Sequence, residues 1–161
     1  MIKVGIIGVG TVGTSVAEIL RDNADVISAR AGTEIIVKSG VVKNLSKDRG
    51  LDIKLSDNVD DILDDPEIDI VVELMGGVDE PFEVVKKALA SGKAVVTANK
   101  ALLAYHRYEL AELAKDIAFE YEASVAGGIP IINALRDGLS ANHIESIMGI
   151  MNGTCNYMMT K

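Results

Sequence analysis

Val4-Gly5-Ile6-Ile7-Gly8-Val9-Gly10-Thr11-Val12-Gly13 is the stretch on which the fold turns. An apolar run of strand length breaks into glycines spaced G-x-G-x-x-G, and residues 12–20 then take up the period of a helix. The first glycine permits a tight turn, the second lets a pyrophosphate reach the backbone, and the third lets the helix lie close to the strand. The helix start behind them offers unpaired amides and partial positive charge to a diphosphate. Turn sterics alone also produce such glycines. Their place between a strand and a helix, at the head of an alternating chain, is what points to a dinucleotide. The contacts then fall on Gly8, Gly10, Thr11, Val12 and Gly13.

Working outward, strand-length apolar runs alternate with helical segments. A short helix is expected over 24–31, closed by Gly32, and a strand over 35–42 that Lys38, Ser39 and Gly40 interrupt. Residues 53–55 read as a short edge strand. A buried strand over 70–74 leads through Met75-Gly76-Gly77 into a helix with Pro81 in its first turn, running to Leu89. Residues 94–97 form the next strand, 102–114 a helix with Leu103, Leu110, Leu113 and Ala114 on one face, and 118–121 a further strand. This order predicts an α/β fold, a Rossmann-like doubly wound parallel sheet with helices on both faces. The chain then changes character. Residues 129–135 look helical after Pro130, 144–151 read as a strand, and Asn152-Gly153-Thr154 as a turn into a helix ending at Lys161. The division predicted is a cofactor domain over 1–130 and, over 131–161, the incomplete start of a second, α+β domain for substrate and dimerisation.

Bulk properties narrow the function classes. The chain has 161 residues, 48% of them apolar, and a net charge of −8. That length suits one well-cored domain. The negative charge argues against a nucleic-acid partner, which needs a basic face. One cysteine cannot form an internal disulfide, and the opening residues lack the pattern of a secretion signal. No apolar run approaches the ~20 residues that span a bilayer. A cytoplasmic protein without membrane contact is expected.

The adenosine end is read from the close of the second strand, Val41-Val42-Lys43-Asn44, with Lys47 and Arg49 following. NAD-specific domains usually place a carboxylate there for the ribose hydroxyls. None is present, and Lys43 with its basic neighbours could meet a 2′-phosphate. The pairing favours NADP, with NAD as the alternative and a solvated basic loop as the plain explanation.

Four further segments carry a family resemblance. Val72-Glu73-Leu74-Met75-Gly76-Gly77, Thr97-Ala98-Asn99-Lys100, Glu122-Ala123-Ser124-Val125-Ala126-Gly127-Gly128-Ile129-Pro130 and Gly149-Ile150-Met151-Asn152-Gly153-Thr154-Cys155-Asn156-Tyr157 resemble signatures of homoserine dehydrogenases, in the family's order. The resemblance implies NAD(P)-dependent interconversion of L-aspartate 4-semialdehyde and L-homoserine, a small-molecule substrate, in the aspartate pathway to threonine, methionine and isoleucine. It implies Lys100 as a catalytic residue that also touches the cofactor, and Ala98 and Asn99 beside the nicotinamide. It implies a sodium ion held by Glu122, Val125, Gly127 and Ile129, and substrate contacts from Gly153 and Thr154. It also implies a longer protein, a homodimer at full length, with its principal proton donor and most of its dimerising sheet past Lys161.

Two other readings stay open. One is a nicotinamide-binding module without catalysis. The other is a semialdehyde dehydrogenase using Cys155, which departs from the threonine frequent at that place in the family. A cysteine nucleophile needs a base, and His106 and His143 are the two histidines available.

Overall fold

Six parallel strands form one sheet in the order β3-β2-β1-β4-β5-β6 in the computed structural model, which describes residues 1–150 and 153–160. The strands are β1 (Ile2–Ile7), β2 (Ile35–Val41), β3 (Lys54–Ser56), β4 (Ile70–Glu73), β5 (Ala94–Thr97) and β6 (Phe119–Glu120). Their order is that of the dinucleotide-binding α/β folds, and it reverses between β1 and β4. The chain first builds outward through β2 and β3, then returns to the other side of β1. A crevice therefore opens at the carboxyl ends of β1 and β4, where ligands of such sheets bind.

Helices cover both faces, as predicted. α1 (Thr11–Asp22) and α2 (Ala24–Ala31) follow β1, and Gly32, left-handed with φ of 69°, closes α2 at the predicted place. A four-residue helix, α3 (Asp60–Leu63), stands before β4, and α4 (Asp79–Ala90) and α5 (Lys100–Ala114) follow β4 and β5. One core packs Ile7, Val71 and Val95 of the sheet against Val85, Leu89, Leu102 and Leu110. The other packs Val4, Ile6 and Val72 with Val9 and Ala17. Successive strand residues point to opposite faces, so both cores follow from the unbroken apolar runs in β1 and β4.

Three local expectations need correction. The interruption in β2 is a register shift: Val4 pairs with Val37 and Gly5 with Ser39, so Lys38 is the extra residue. Its ammonium reaches Asp65 and Glu67, each at 2.6 Å. On α5 the buried stripe is Leu102, Leu110 and Ala114, whereas Leu113 is exposed. His106 occupies the missing fourth place of that stripe and stacks on Phe82 of α4 at 4.1 Å between ring centres. The strand expected over 144–151 is absent across 144–150, and Met151 lies outside the described residues. A strand persists by pairing its amides and carbonyls with a neighbour. Ile147, Met148 and Ile150 are instead exposed, and none of 144–150 joins the sheet.

Past β6 the chain makes a 3-10 turn (Glu122–Ser124), the short α6 (Ile131–Asn133) and a wider turn (Ala134–Gly138). The helical reading of 129–135 thus holds from Ile131 onward. Gly153 and Thr154, expected in a turn, are already the first residues of a helix, α7 (Gly153–Thr160), and Asn152 lies outside the described residues. Among the described residues no helix is long and apolar enough to cross a membrane.

Candidate functional site

The glycine turn is built as its spacing implies. Gly8 has φ of +104°, and a Cβ there would stand 2.6 Å from the Leu74 carbonyl oxygen, so the turn after β1 lies directly against the exit of β4. The amides of Gly8 and Val9 both donate to the Val41 carbonyl at 3.0 Å, which ties the turn to the end of β2. At Gly13 a Cβ would meet the Gly8 carbonyl oxygen at 2.5 Å, which only glycine permits at this helix-to-strand distance. Gly10 differs: nothing lies within 4 Å of its Cβ position. The open space there adjoins the first turn of α1, whose amides at Thr11, Val12 and Gly13 have no intrahelical acceptor. That turn contains no acidic residue and, among the described residues, no side-chain cap. Thr11 and Val12 are exposed at its mouth.

A cavity of about 350 Å³ opens beside this turn, across the ends of β1, β2 and β4. Gly8, Gly10, Lys43, Asn44 and Arg49 line it, so it joins the glycine turn to the predicted adenosine end. Lys43 is exposed, with its ammonium 3.7 Å from the Glu80 carboxylate. Arg49 is more built in than its sequence position suggests. Its Nε donates to the Val9 carbonyl at 2.7 Å, and its Nη1 to the carbonyls of Lys47 and Asn44 at 2.7 and 3.0 Å. One face of the guanidinium thus pins the basic loop to the glycine turn. Asp57 and Glu80 also line the cavity, and sequence reasoning found neither, because no local spacing links them to the turn. The empty region at Gly10, the free amides and the flanking cations fit the diphosphate and phosphoribose of a dinucleotide.

Next to this cavity the exits of β4 and β5 share a buried polar network. Glu73 is fully buried; its Oε1 accepts the Met75 amide at 2.7 Å, and its Oε2 accepts the Thr97 hydroxyl. Burial pushes the Glu73 carboxyl above the usual carboxylate range, and the bonds from Thr97, Met75 and Asn99 oppose that rise. Thr97 Oγ1 in turn accepts the Asn99 amide at 3.0 Å. Asn99 caps α5 by accepting the Leu102 amide, and its Nδ2 donates to the Gly77 carbonyl at 2.9 Å. Its side chain is therefore engaged with the protein. Ala98 is half-buried and Lys100, first residue of α5, is exposed at the sheet's carboxyl edge. Glu73 was quoted within a motif but given no role from the sequence.

The glycine-rich bend joins this edge through Ser124, whose hydroxyl donates to the Thr97 carbonyl at 2.9 Å. Ala126 and Gly127 are both left-handed, with φ of 55° and 61°, an unusual conformation for alanine. Glu122 accepts the amides of Ile132 and Asn133 at 3.0 and 2.7 Å, so its carboxylate caps α6. Each carboxylate oxygen keeps a further lone pair. The carbonyls of Val125, Gly127 and Ile129, grouped with it by the family resemblance, are oxygen donors of the kind a hard cation takes. Among the described residues no three His, Cys, Asp or Glu side chains gather in one place, so a cation here would depend on those carbonyls.

Gly153 is the exposed first residue of α7. The side chains of Thr154 and Cys155 lie outside the described residues. His106 is occupied between Phe82 and Glu109, the latter 3.5 Å from its Nδ1, and His143 is exposed in irregular chain.

Two family models match the chain: "Homoserine dehydrogenase, NAD binding domain" over residues 8–122 and "Homoserine dehydrogenase" over residues 130–161. A homoserine dehydrogenase of Helicobacter pylori is 53% identical over 160 residues, which cover 99% of this chain and 38% of that protein. The crystal structure of a homoserine dehydrogenase from Thiobacillus denitrificans superposes with a TM-score of 0.85 at 51% identity, covering 89% of this chain and 34% of that one. A hyperthermophilic archaeal homoserine dehydrogenase in complex with NADPH gives a TM-score of 0.69 at 27% identity, over 83% of this chain and 47% of that one. The chain thus spans between about a third and just under half of the length of these relatives.

Proposed function

The chain belongs to the homoserine dehydrogenase family, and from that premise we propose that it is the cofactor-binding part of an NADP-dependent enzyme interconverting L-aspartate 4-semialdehyde and L-homoserine. The observation that carries the cofactor reading is the cavity at Gly10, where open space, free helix-start amides and the cations of the β2 exit lie together.

In this reading residues 1–130 are the cofactor domain and residues 131–161 begin the substrate and dimerisation domain of a cytoplasmic homodimer. The amides at Thr11, Val12 and Gly13 hold the diphosphate, with Gly8 and Gly13 keeping the turn closed beneath it. Lys43 meets the 2′-phosphate, and Arg49, clamped to Val9 by one edge, presents its remaining nitrogen beside it. This favours NADP over NAD. When bound, the nicotinamide supplies or accepts the hydride. Ala98 and Asn99 form the wall on which that ring rests. Lys100, projecting at the carboxyl edge, orients the substrate oxygen and offsets its negative charge as the carbonyl is reduced. Gly153 and Thr154 contact the substrate at the start of α7. Glu122, Val125, Gly127 and Ile129 hold a sodium ion that stiffens the bend beside β5.

Titration of NADPH into the purified chain, followed by an assay of homoserine oxidation, tests the reading. Saturable NADPH binding is expected, with turnover depending on the remainder of the longer protein. Absence of binding at millimolar NADPH would remove the cofactor role.

A further inference from the structure

Position 73 is where the apolar run Ile70-Val71-Val72 ends in a buried acid. Glu73 pairs in register with Ile7, the last residue before the glycine turn, and with Thr97, the last residue of β5. It therefore stands between the two exits that would frame the cofactor. No ion pair offsets its charge among the described residues. A buried carboxylate without a cation is costly, and an apolar residue would complete the strand at less cost to stability.

What the acid does is visible in its bonds. The Asn99 amide already donates to Thr97 Oγ1, so the Thr97 hydroxyl proton is directed at Glu73. The Met75 amide is directed at the other carboxylate oxygen. Both oxygens act as acceptors, and Glu73 needs no proton of its own to satisfy the network. Through Met75 it fixes the turn after β4, and through Thr97 the turn after β5. Asn99 then closes the loop by donating to Gly77 in the first of those turns. Ser124 attaches the bend past β6 to the same threonine.

We propose that Glu73 is a positioning residue for the nicotinamide end of the cofactor: its carboxylate locks the β4 and β5 exits together, and so sets Ala98, Asn99 and Lys100 at a fixed height above the sheet. This rests on the cofactor reading given above and goes beyond it, since no backbone motif assigns Glu73 a task. The adenosine half is held elsewhere, by the glycine turn and the β2 exit. Loosening Glu73 therefore weakens one half of the site and spares the other.

Two ligands separate those halves: NADPH, and 2′-phospho-ADP-ribose, which lacks the nicotinamide. Their affinities for the purified 161-residue chain are measured by calorimetry, with thermal melts alongside. Glu73→Gln turns one acceptor into a donor facing a donor. Thr97→Val keeps the side-chain shape and deletes the link. Each is expected to weaken NADPH about tenfold while leaving 2′-phospho-ADP-ribose within about twofold. Thr97→Ser restores NADPH binding, and the double variant is no worse than either single one. Equal loss for both ligands, or loss for neither, overturns the proposal. If Glu73→Gln fails to fold, Thr97→Val gives the same two-ligand comparison. Failure of the unaltered chain to bind either ligand would instead strike the cofactor reading itself.

Discussion

Replacing Gly10 or Gly13 by alanine adds one methyl group to the same turn, and the two changes should fail in opposite ways. At Gly13 the new Cβ would lie 2.5 Å from the Gly8 carbonyl oxygen, 3.2 Å from its carbon and 3.3 Å from a methyl of Ile6. Ordinary non-bonded separations are about 3.5 Å, so α1 must move outward by up to about 1 Å. Overpacking of this kind costs about 1–3 kcal/mol. Alanine's better helix propensity returns at most about 1 kcal/mol. A net loss of about 1–2 kcal/mol lowers Tm by about 2–8 °C for a domain of this size.

At Gly10 the backbone has φ of −91° and ψ of −150°, which alanine adopts, and no atom lies within 4 Å. Stability should change by less than about 0.5 kcal/mol. The methyl, however, occupies the space proposed for the diphosphate. A clash of about 1–3 kcal/mol there weakens NADPH about 5- to 150-fold. Thermal melting and NADPH titration on the two variants decide the matter. If Gly10→Ala binds NADPH as well as the unaltered chain, the diphosphate does not rest at this turn. If it melts as early as Gly13→Ala, the open space at Gly10 is misjudged.

Lys43→Ala should weaken NADPH about tenfold and leave NADH nearly unchanged, with a shallower salt dependence; equal loss for both cofactors would take the 2′-phosphate away from Lys43. Hydrogen bonds from Lys38 hold the Asp65 carboxyl below its ordinary 3.8, and bonds from Lys3 and Lys38 hold Glu67 below 4.5. Their stabilisation is present above those values and is lost as pH falls through the lower, folded ones. Lys38→Met should therefore flatten the decline of Tm below about pH 4.5, and an unchanged acid limb would deny the cluster that role. Glu73 has the opposite sign: burial raises it above 4.5, so from there to its raised value stability falls as pH rises. Urea unfolding should show that decline in the unaltered chain and not in Glu73→Gln. Glu122→Ala removes two bonds to the start of α6 and should cost about 1–2 kcal/mol locally, read as faster amide exchange at Ile132 and Asn133 with β1 and β4 unaffected.

The parts of this protein that can be read from sequence are those whose cause lies within a few residues. Gly32 ends α2 because its left-handed φ is a property of one position, and Ala94–Thr97 is a strand because three apolar residues and a β-branched threonine sit between two turns. α5 shows the opposite. Its buried stripe runs through 102, 106, 110 and 114, but His106 breaks the apolar pattern, and only Phe82 on a neighbouring helix explains why a histidine lies there. α3 has four residues, too few to show a period. Residues 144–150 carry strand-like composition, yet strand formation depends on a pairing edge that local sequence does not describe.

The site divides along the same line. Thr97 is 24 positions from Glu73, and Val9 is 40 from Arg49, so no spacing rule could name either side chain's task. The glycine motif is legible for a reason that reaches past its own segment. Gly8 lacks a side chain because the Leu74 carbonyl would be 2.6 Å from it, and the Leu74 amide donates to Ile7 at 2.8 Å. The exit of β4 is therefore pressed against the turn after β1. The turn itself stays tied to the end of β2 through the Val41 carbonyl, so a residue that fixes the β4 exit sets only how β5 stands against it. Glu73 is that residue, one position before Leu74 and bonded to the last residue of β5. The first glycine and the buried acid are two halves of one joint, and only the half that needs an absent side chain leaves a mark in local sequence.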